Sequence, residues 1–275
     1  MPEDSAKRYA LVTGAGSGLG RAFCKQLVFD DWHVAVTDVD FSAAEQTLAS
    51  FNSTSGLGEV HQLDVTDSDA WQRVHDQLRT KWPRLDLIVN NAGVCASGEI
   101  GDMPVDVFRR VLDVNLLGVL LGCHTMVPWL KEASGQVVNI ASIFGFLAPP
   151  SMAAYSVSKA GVIALSETLY GELRPHGVSV TVAIPGFFAT QLVEQGQFSD
   201  PIHRRIAEQF VRKADVTSEE VVRCTLDAVE RGHLYAIIGR KARWLWQLKR
   251  LSPEWFAKIA TRRYLKTMEE YRVSD

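Results

Sequence analysis

A short apolar run, Tyr9 to Thr13, passes directly into Gly14-Ala15-Gly16-Ser17-Gly18-Leu19-Gly20, and a helical pattern starts at once with Ala22, Phe23, Leu27 and Val28 at core-facing spacing. Strand, glycine turn and helix in that order leave few geometries open. Missing side chains let an anion approach the bare amides at the helix start, where the positive end of the helix dipole also points. A pyrophosphate fits such a turn, and Gly14, Ser17, Gly18, Leu19 and Gly20 are its candidate ligands. His33 to Thr37 reads as a second strand ending at Asp38, about where an acid that binds a ribose is expected. A carboxylate there accepts hydrogen bonds from adenosine 2′- and 3′-hydroxyls and repels a 2′-phosphate. Val39, Asp40 and Phe41 offer no cation, and Arg21, one turn into the helix, is expected to face solvent. These residues favour NAD(H) over NADP(H); the plainer role for Asp38 is to begin a turn.

The same alternation continues along the chain. Strands are predicted near 8–13, 33–38, 58–64, 85–90, 135–141, 178–184 and 234–238. Helices are predicted near 18–30, 41–51, 67–81, 104–132, 152–174, 201–212 and 217–231. Strands alternating with helices of this length imply an α/β fold, a Rossmann-like doubly wound parallel sheet of about seven strands with helices on both faces. Asp64-Val65, Asn90-Asn91-Ala92-Gly93, Ala141-Ser142 and Pro185-Gly186 then stand at strand C-terminal ends, where such a sheet binds ligands. With 275 residues, 47% hydrophobic and 22% charged, the chain suffices for one domain over 1–239, followed by an extension at 240–275.

The N-terminus, MPEDSAKRYA, lacks the order of a secretory signal, and no uninterrupted apolar run approaches the roughly 20 residues of a bilayer span. Cys24, Cys95, Cys123 and Cys224 are scattered without metal-ligand spacing, and so are the histidines. Reduced thiols, a cytoplasmic location and no metal site are the expectation.

Tyr155 and Lys159 lie four residues apart, so a helix projects phenol and ammonium into the same space. A phenol titrates near pH 10, too high for a good base at neutrality, and an adjacent cation is expected to lower it. Ser142, upstream, supplies a hydroxyl that can hold a substrate oxygen beside the phenol. A tyrosine and a lysine at this spacing also occur on solvated helices, so the surrounding motifs decide.

The ordered set Thr13-Gly14-x-x-x-Gly18-x-Gly20, Asp64, Asn90-Asn91-Ala92-Gly93, Asn115, Ser142, Tyr155-x-x-x-Lys159 and Pro185-Gly186-x-x-x-Thr190 resembles the short-chain dehydrogenase/reductase family over residues 7 to 240. The resemblance implies hydride transfer between NAD(H) and an alcohol or ketone, with Tyr155 as acid/base. It implies that Lys159 tunes the phenol and binds the nicotinamide ribose, and that Ser142 positions the reacting oxygen. Asn115 would distort its helix and anchor a proton-relaying water; a mid-helix asparagine otherwise needs a reason. Asp64 and Val65 would lie against adenine, and Asn91, with Ala92 and Gly93, beside the nicotinamide ribose. Pro185 and Gly186 would shape the nicotinamide bed, and Thr190 would meet its carboxamide. Homotetramers or homodimers through the helical faces at 114–128 and 153–170 are implied as well.

Around the candidate site Ile143, Phe144, Phe146, Leu147, Phe187 and Phe188 form an apolar, aromatic lining with no cation to clamp an acid. A lipophilic secondary alcohol or ketone suits it, and 190–215 is the expected specificity lid. A non-catalytic NAD(H)-sensing protein on the same fold is the alternative, and dehydration or epimerisation a third. The extension carries ten Lys/Arg against four Asp/Glu, net +6, while the whole chain is −3 and residues 1–239 are therefore −9. Its interleaved aromatics admit a cap over the cleft, a subunit contact, peripheral contact with an anionic membrane, or a solvated helix. Ser252-Pro253-Glu254 reads as the start of a last helix. No nucleic-acid module is recognised.

Overall fold

The computed structural model describes residues 7–51, 58–188, 192–212, 214 and 216–273. Its first half alternates β1 (Arg8–Thr13), α1 (Gly18–Phe29), β2 (Trp32–Asp38), α2 (Phe41–Ala49), β3 (Gly58–Gln62), α3 (Ser68–Arg79) and β4 (Leu87–Asn90). Acidic N-caps mark two of these helices: Asp40 accepts from the Ala43 amide at 3.1 Å and Asp67 from the Asp69 amide at 2.8 Å. Next come β5 (Ala96–Ser97), α4 (Val105–Leu112), a π-helical turn at Asp113–Leu117, α5 (Gly118–Ala133), β6 (Gln136–Ile140), α6 (Ile143–Leu147), α7 (Ala153–Leu173) and β7 (Ser179–Pro185). The chain closes with β8 (Gln197–Phe198), α8 (Pro201–Arg212), α9 (Ser218–Glu230), β9 (Tyr235–Ile238), α10 (Arg240–Leu251) and α11 (Pro253–Val273).

Seven strands form one sheet in the order β3-β2-β1-β4-β6-β7-β9, every pair parallel. The winding reverses between β1 and β4, which opens a crevice at their C-terminal ends. Side chains alternate across the sheet, so the core divides in two. Leu11, Ile88, Val137 and Val180 pack against α3, α5 and α7, where Trp71 and Trp129 are fully or almost fully buried. Val12, Val36, Val89 and Val138 pack against α1, α2 and α9 around Phe23, Leu27 and Val221. Each such buried side chain contributes roughly 1.5–3 kcal/mol.

The seven predicted strands are all present, displaced by at most two residues at their ends. The helix expected across 104–132 is interrupted by the π turn. The two-residue ladder of β5 with β8 and the single-turn α6 carry too few residues for a sequence period to show. Val105–Ala133 is long and apolar enough to cross a membrane by length and composition; here it lies against the sheet, with Val119, Met126 and Leu130 in the core.

Candidate active site

The glycine turn closes onto the end of β4. Gly14 and Gly18 take positive φ values of 61° and 48°, a conformation that favours glycine. A Cβ on Gly20 would lie 2.2 Å from the Gly14 carbonyl oxygen and 2.6 Å from Asn91 Nδ2. Thr13 Oγ1 accepts from the amides of Asn91 and Ala92, both at 3.0 Å. Asn91 Nδ2 donates back to Thr13 O at 2.8 Å and Gly14 O at 3.2 Å. Asn91 thus stands beside the central strand as expected, but its amide group braces the turn. Thr13 is a structural partner that sequence reasoning placed in the motif and left without a role.

At the start of α1, Ser17 is the N-cap yet makes no side-chain cap bond, and the first turn holds no acid. The helix's leading amides are left to an anion. Asp38, at the end of β2, accepts from the Gly16 amide at 2.8 Å and the Asp40 amide at 3.0 Å. Arg21 does not face solvent. It is half-buried, donating to Thr47 Oγ1 at 2.9 Å and to the Gly16 carbonyl, and so ties α1 to α2 across the turn. Asp64 is exposed and accepts from the amide and hydroxyl of Thr66. The Val65 side chain packs into the core against Gly118, and its carbonyl accepts from Trp71 Nε1 at 3.0 Å.

Ser142 ends β6 and caps α6, with Oγ accepting from the Phe144 amide at 3.2 Å. Tyr155 and Lys159 rise from α7, 8% and 3% exposed, so both polar ends are far from bulk water. The Ser142 hydroxyl favours the charged form of the phenol. Lys159 Nζ donates to the Ile140 carbonyl at 2.8 Å and lies 5.9 Å from the centre of the Tyr155 ring. Burial pushes the ammonium down to about 8, partly opposed by the Cys95 thiol. Burial pushes the phenol above its usual range, reinforced by Cys95, while Ser142 acts the other way. Removal from water therefore dominates the phenol, contrary to the expected lowering by Lys159, whose ammonium is engaged by a backbone carbonyl. Cys95 is pushed up to about 12 by burial, with Lys159 opposing.

Asn115 is fully buried at the centre of the π turn. Its Oδ1 accepts from the Val94 amide at 2.7 Å, and its Nδ2 donates to the Val94 carbonyl at 2.9 Å and to Ser158 Oγ at 3.1 Å. One side chain thereby fixes the segment that follows Gly93 to α7. A Cβ on Gly93 would lie 3.2 Å from Asn115 Oδ1 and 3.6 Å from Lys159 Nζ. Across the crevice the Gly186 amide donates to the Ile238 carbonyl at 3.0 Å, and α10 approaches Gly186 through Ala242. Thr190 lies outside the described residues, as does part of the expected lid.

An aromatic row runs outward from the site. Phe144 meets Tyr155 edge-on at 6.4 Å and Phe187 at 5.4 Å, and Phe187 stacks on Phe210 of α8 at 4.7 Å. The C-terminal extension packs on α6 and α8, two of the elements that carry this row. Trp246 of α10 packs on Phe146, and Lys249 donates to the carbonyls of Phe146 and Leu147. On α11, the Tyr264 hydroxyl meets His203 Nε2 of α8 at 3.1 Å. Tyr271 donates to Gln209 at 2.7 Å. No local pattern in the sequence foretells these long-range partners.

The glycine turn and the residues Ser142, Tyr155 and Lys159 gather at the C-terminal ends of one parallel sheet. The family model for short chain dehydrogenase matches residues 8–199, and the chain belongs to that family. It is 33% identical over 192 residues to the probable oxidoreductase EphD of Mycobacterium tuberculosis, covering 69% of this chain but only 32% of that protein. It is 36% identical over 188 residues to a 3-oxoacyl-[acyl-carrier-protein] reductase of Synechocystis, 67% of this chain and 76% of the relative. A short-chain dehydrogenase/reductase from Burkholderia phymatum in complex with NAD superposes with a TM-score of 0.85 at 26% identity, over 90% of this chain and 94% of its own. One from Sphingobium yanoikuyae in complex with NADPH gives 0.73 at 26% identity, over 86% and 91%.

Proposed function

We propose that the chain interconverts a lipophilic secondary alcohol and its ketone using NAD(H), with Tyr155 as the proton-transferring group. The observation that carries this is the burial of Tyr155 and Lys159, one helical turn apart on α7, together with Ser142, at the C-terminal ends of the strands where the glycine turn also lies. When bound, the nicotinamide supplies the hydride acceptor for oxidation or the hydride donor for reduction. Gly14, Ser17, Gly18, Leu19 and Gly20 would hold the pyrophosphate, Asp38 the adenosine ribose, and Asp64 and Val65 the adenine edge. Ala92, Gly93, Pro185, Gly186 and Thr190 would flank the nicotinamide. The uncapped start of α1 and the glycine cradle, which a Cβ would fill, suit that group.

The chain's own residues then have distinct tasks. Ser142 donates to the substrate oxygen and holds it at the phenol. Tyr155 donates its phenolic proton to the carbonyl oxygen in reduction, and as phenolate takes the hydroxyl proton from the alcohol in oxidation. Lys159 places a positive charge under the phenol and reaches the ribose of the cofactor. Asn115 positions both, through Val94 and Ser158.

Asp38 and the absence of a cation at 39–41 support NAD(H) over NADP(H). The row of Phe144, Phe187 and Phe210 supports an apolar, flat substrate. Leu117, Leu120 and Val157, 42%, 43% and 51% exposed on the π turn, α5 and α7, support association into a homodimer or homotetramer across those helices. Four free cysteines support a reducing compartment, the cytoplasm. A screen scored by NADH absorbance tests the whole: polycyclic or long-chain secondary alcohols should turn over with NAD+ in preference to NADP+. A clear preference for polyols would overturn the apolar-cleft reading.

A further inference from the structure

We infer that the outward faces of α10 and α11 dock the enzyme on an anionic lipid bilayer. Both helices are two-faced. α10 turns Ala242, Trp246 and Lys249 toward β9 and α6, and α11 turns Phe256, Tyr264, Met268 and Tyr271 toward the lid helix α8 and the body of the fold. The opposite faces hold large apolar side chains left in water. Trp244 is 64% exposed, Leu251 83%, Trp255 49% and Leu265 59%.

Their spacing is regular. Trp244 and Leu251 lie two turns apart on α10; Trp255, Lys258, Arg262 and Leu265 repeat at intervals of three and four on α11. Lys258 also pairs with Glu254 at 2.8 Å, so it is only partly neutralised from within the helix. The extension as a whole is net +6 on a chain of −3. An indole on the crest of a helix, ringed by long cations, matches the boundary between headgroups and acyl chains, where its ring is half buried and its N–H stays wet. Anionic headgroups supply the complementary charge without the matched pockets that four separated apolar knobs would require of a protein partner. Since α11 carries α8 on its inner face, docking would bring the lid close to the lipid.

The test uses the full-length protein and sedimentation with vesicles of phosphatidylcholine alone or mixed with phosphatidylglycerol. Binding to the mixed vesicles, weakened by salt and accompanied by a blue shift of tryptophan fluorescence, is expected, with little binding to the neutral ones. Arg262→Gln should weaken partitioning about fivefold, and Leu251→Ala with Trp255→Ala at least about tenfold. Thermal midpoints should stay near wild type, because these side chains are exposed. No binding to phosphatidylglycerol vesicles at low salt, or binding that ignores both variants, overturns the inference. So does a fall in oligomer size in Leu251→Ala/Trp255→Ala, which would give this face to a second copy of the chain.

Discussion

Replacing Asn115 with alanine separates a helix-packing residue from one that organises the site. In the native chain its amide makes three hydrogen bonds, two to the Val94 backbone and one to Ser158, from a fully buried position. The alanine variant strands the Val94 amide and carbonyl and removes a partner of Ser158. Each unsatisfied group costs about 1–3 kcal/mol, and the half-exposed Val94 draws the sum toward the low end, about 2–4 kcal/mol. For a chain of this size that is a fall in melting temperature of about 5–15 °C. Ser158→Ala spares the clamp on Val94 and should cost only about 1 kcal/mol. Calorimetry of the two variants, with kcat and KM for NAD+ alongside, gives the comparison. Asn115→Ala should also lose at least about tenfold in kcat, because Val94 and Lys159 are no longer held in register. An Asn115→Ala protein that melts with wild type would refute the clamp, and one that is destabilised but fully active would refute its bearing on catalysis.

Asp38→Ala should raise KM for NAD+ roughly 10–100-fold by removing charge-assisted hydrogen bonds, with NADP+ little affected; an unchanged ratio of the two would remove Asp38 from cofactor choice. Lys159 has a folded-state value of about 8 against an ordinary 10.5, so its burial cost is present below pH 8 and fades as pH rises toward 10.5. The stability of wild type relative to Lys159→Met should therefore increase by about 2 kcal/mol between pH 7 and pH 9.5. A flat difference in chemical denaturation would mean the ammonium is not buried as described. Tyr264→Phe should raise KM for a lipophilic alcohol a fewfold, with kcat and KM for NAD+ unchanged, because α11 then holds α8 less firmly; identical substrate KM values would detach the extension from the cleft.

The middle of the sheet is readable because its strands are nearly continuous apolar runs: β4 and the interior of β2 are buried on both faces and need no alternation to be recognised, whereas β3, at the sheet's edge, holds Glu59, His61 and Gln62. Asn115 stood out as an asparagine in mid-helix, and the π turn is the local distortion that the resemblance implied. What it holds, the backbone of Val94 some twenty residues earlier, depends on tertiary packing and leaves no local trace. The same is true of Arg21, whose partner Thr47 lies on the next helix, and of Tyr264, whose partner His203 is far away in sequence. The core contact of Val65 with Gly118 depends in the same way on where α5 crosses the sheet. The phenol was expected to be lowered by its lysine neighbour; sequence shows the neighbour and not the depth of burial, and depth wins here.

The assignment rests finally on the Tyr155 hydroxyl. In Tyr155→Phe the ring and its contact with Phe144 are kept and only the proton-carrying oxygen is lost, so NAD+ affinity measured by calorimetry should remain near wild type. Oxidation of the best alcohol found in the screen should fall by at least about 100-fold, the usual scale of acid–base assistance. A variant that binds NAD+ and keeps most of its turnover would contradict the role given to Tyr155.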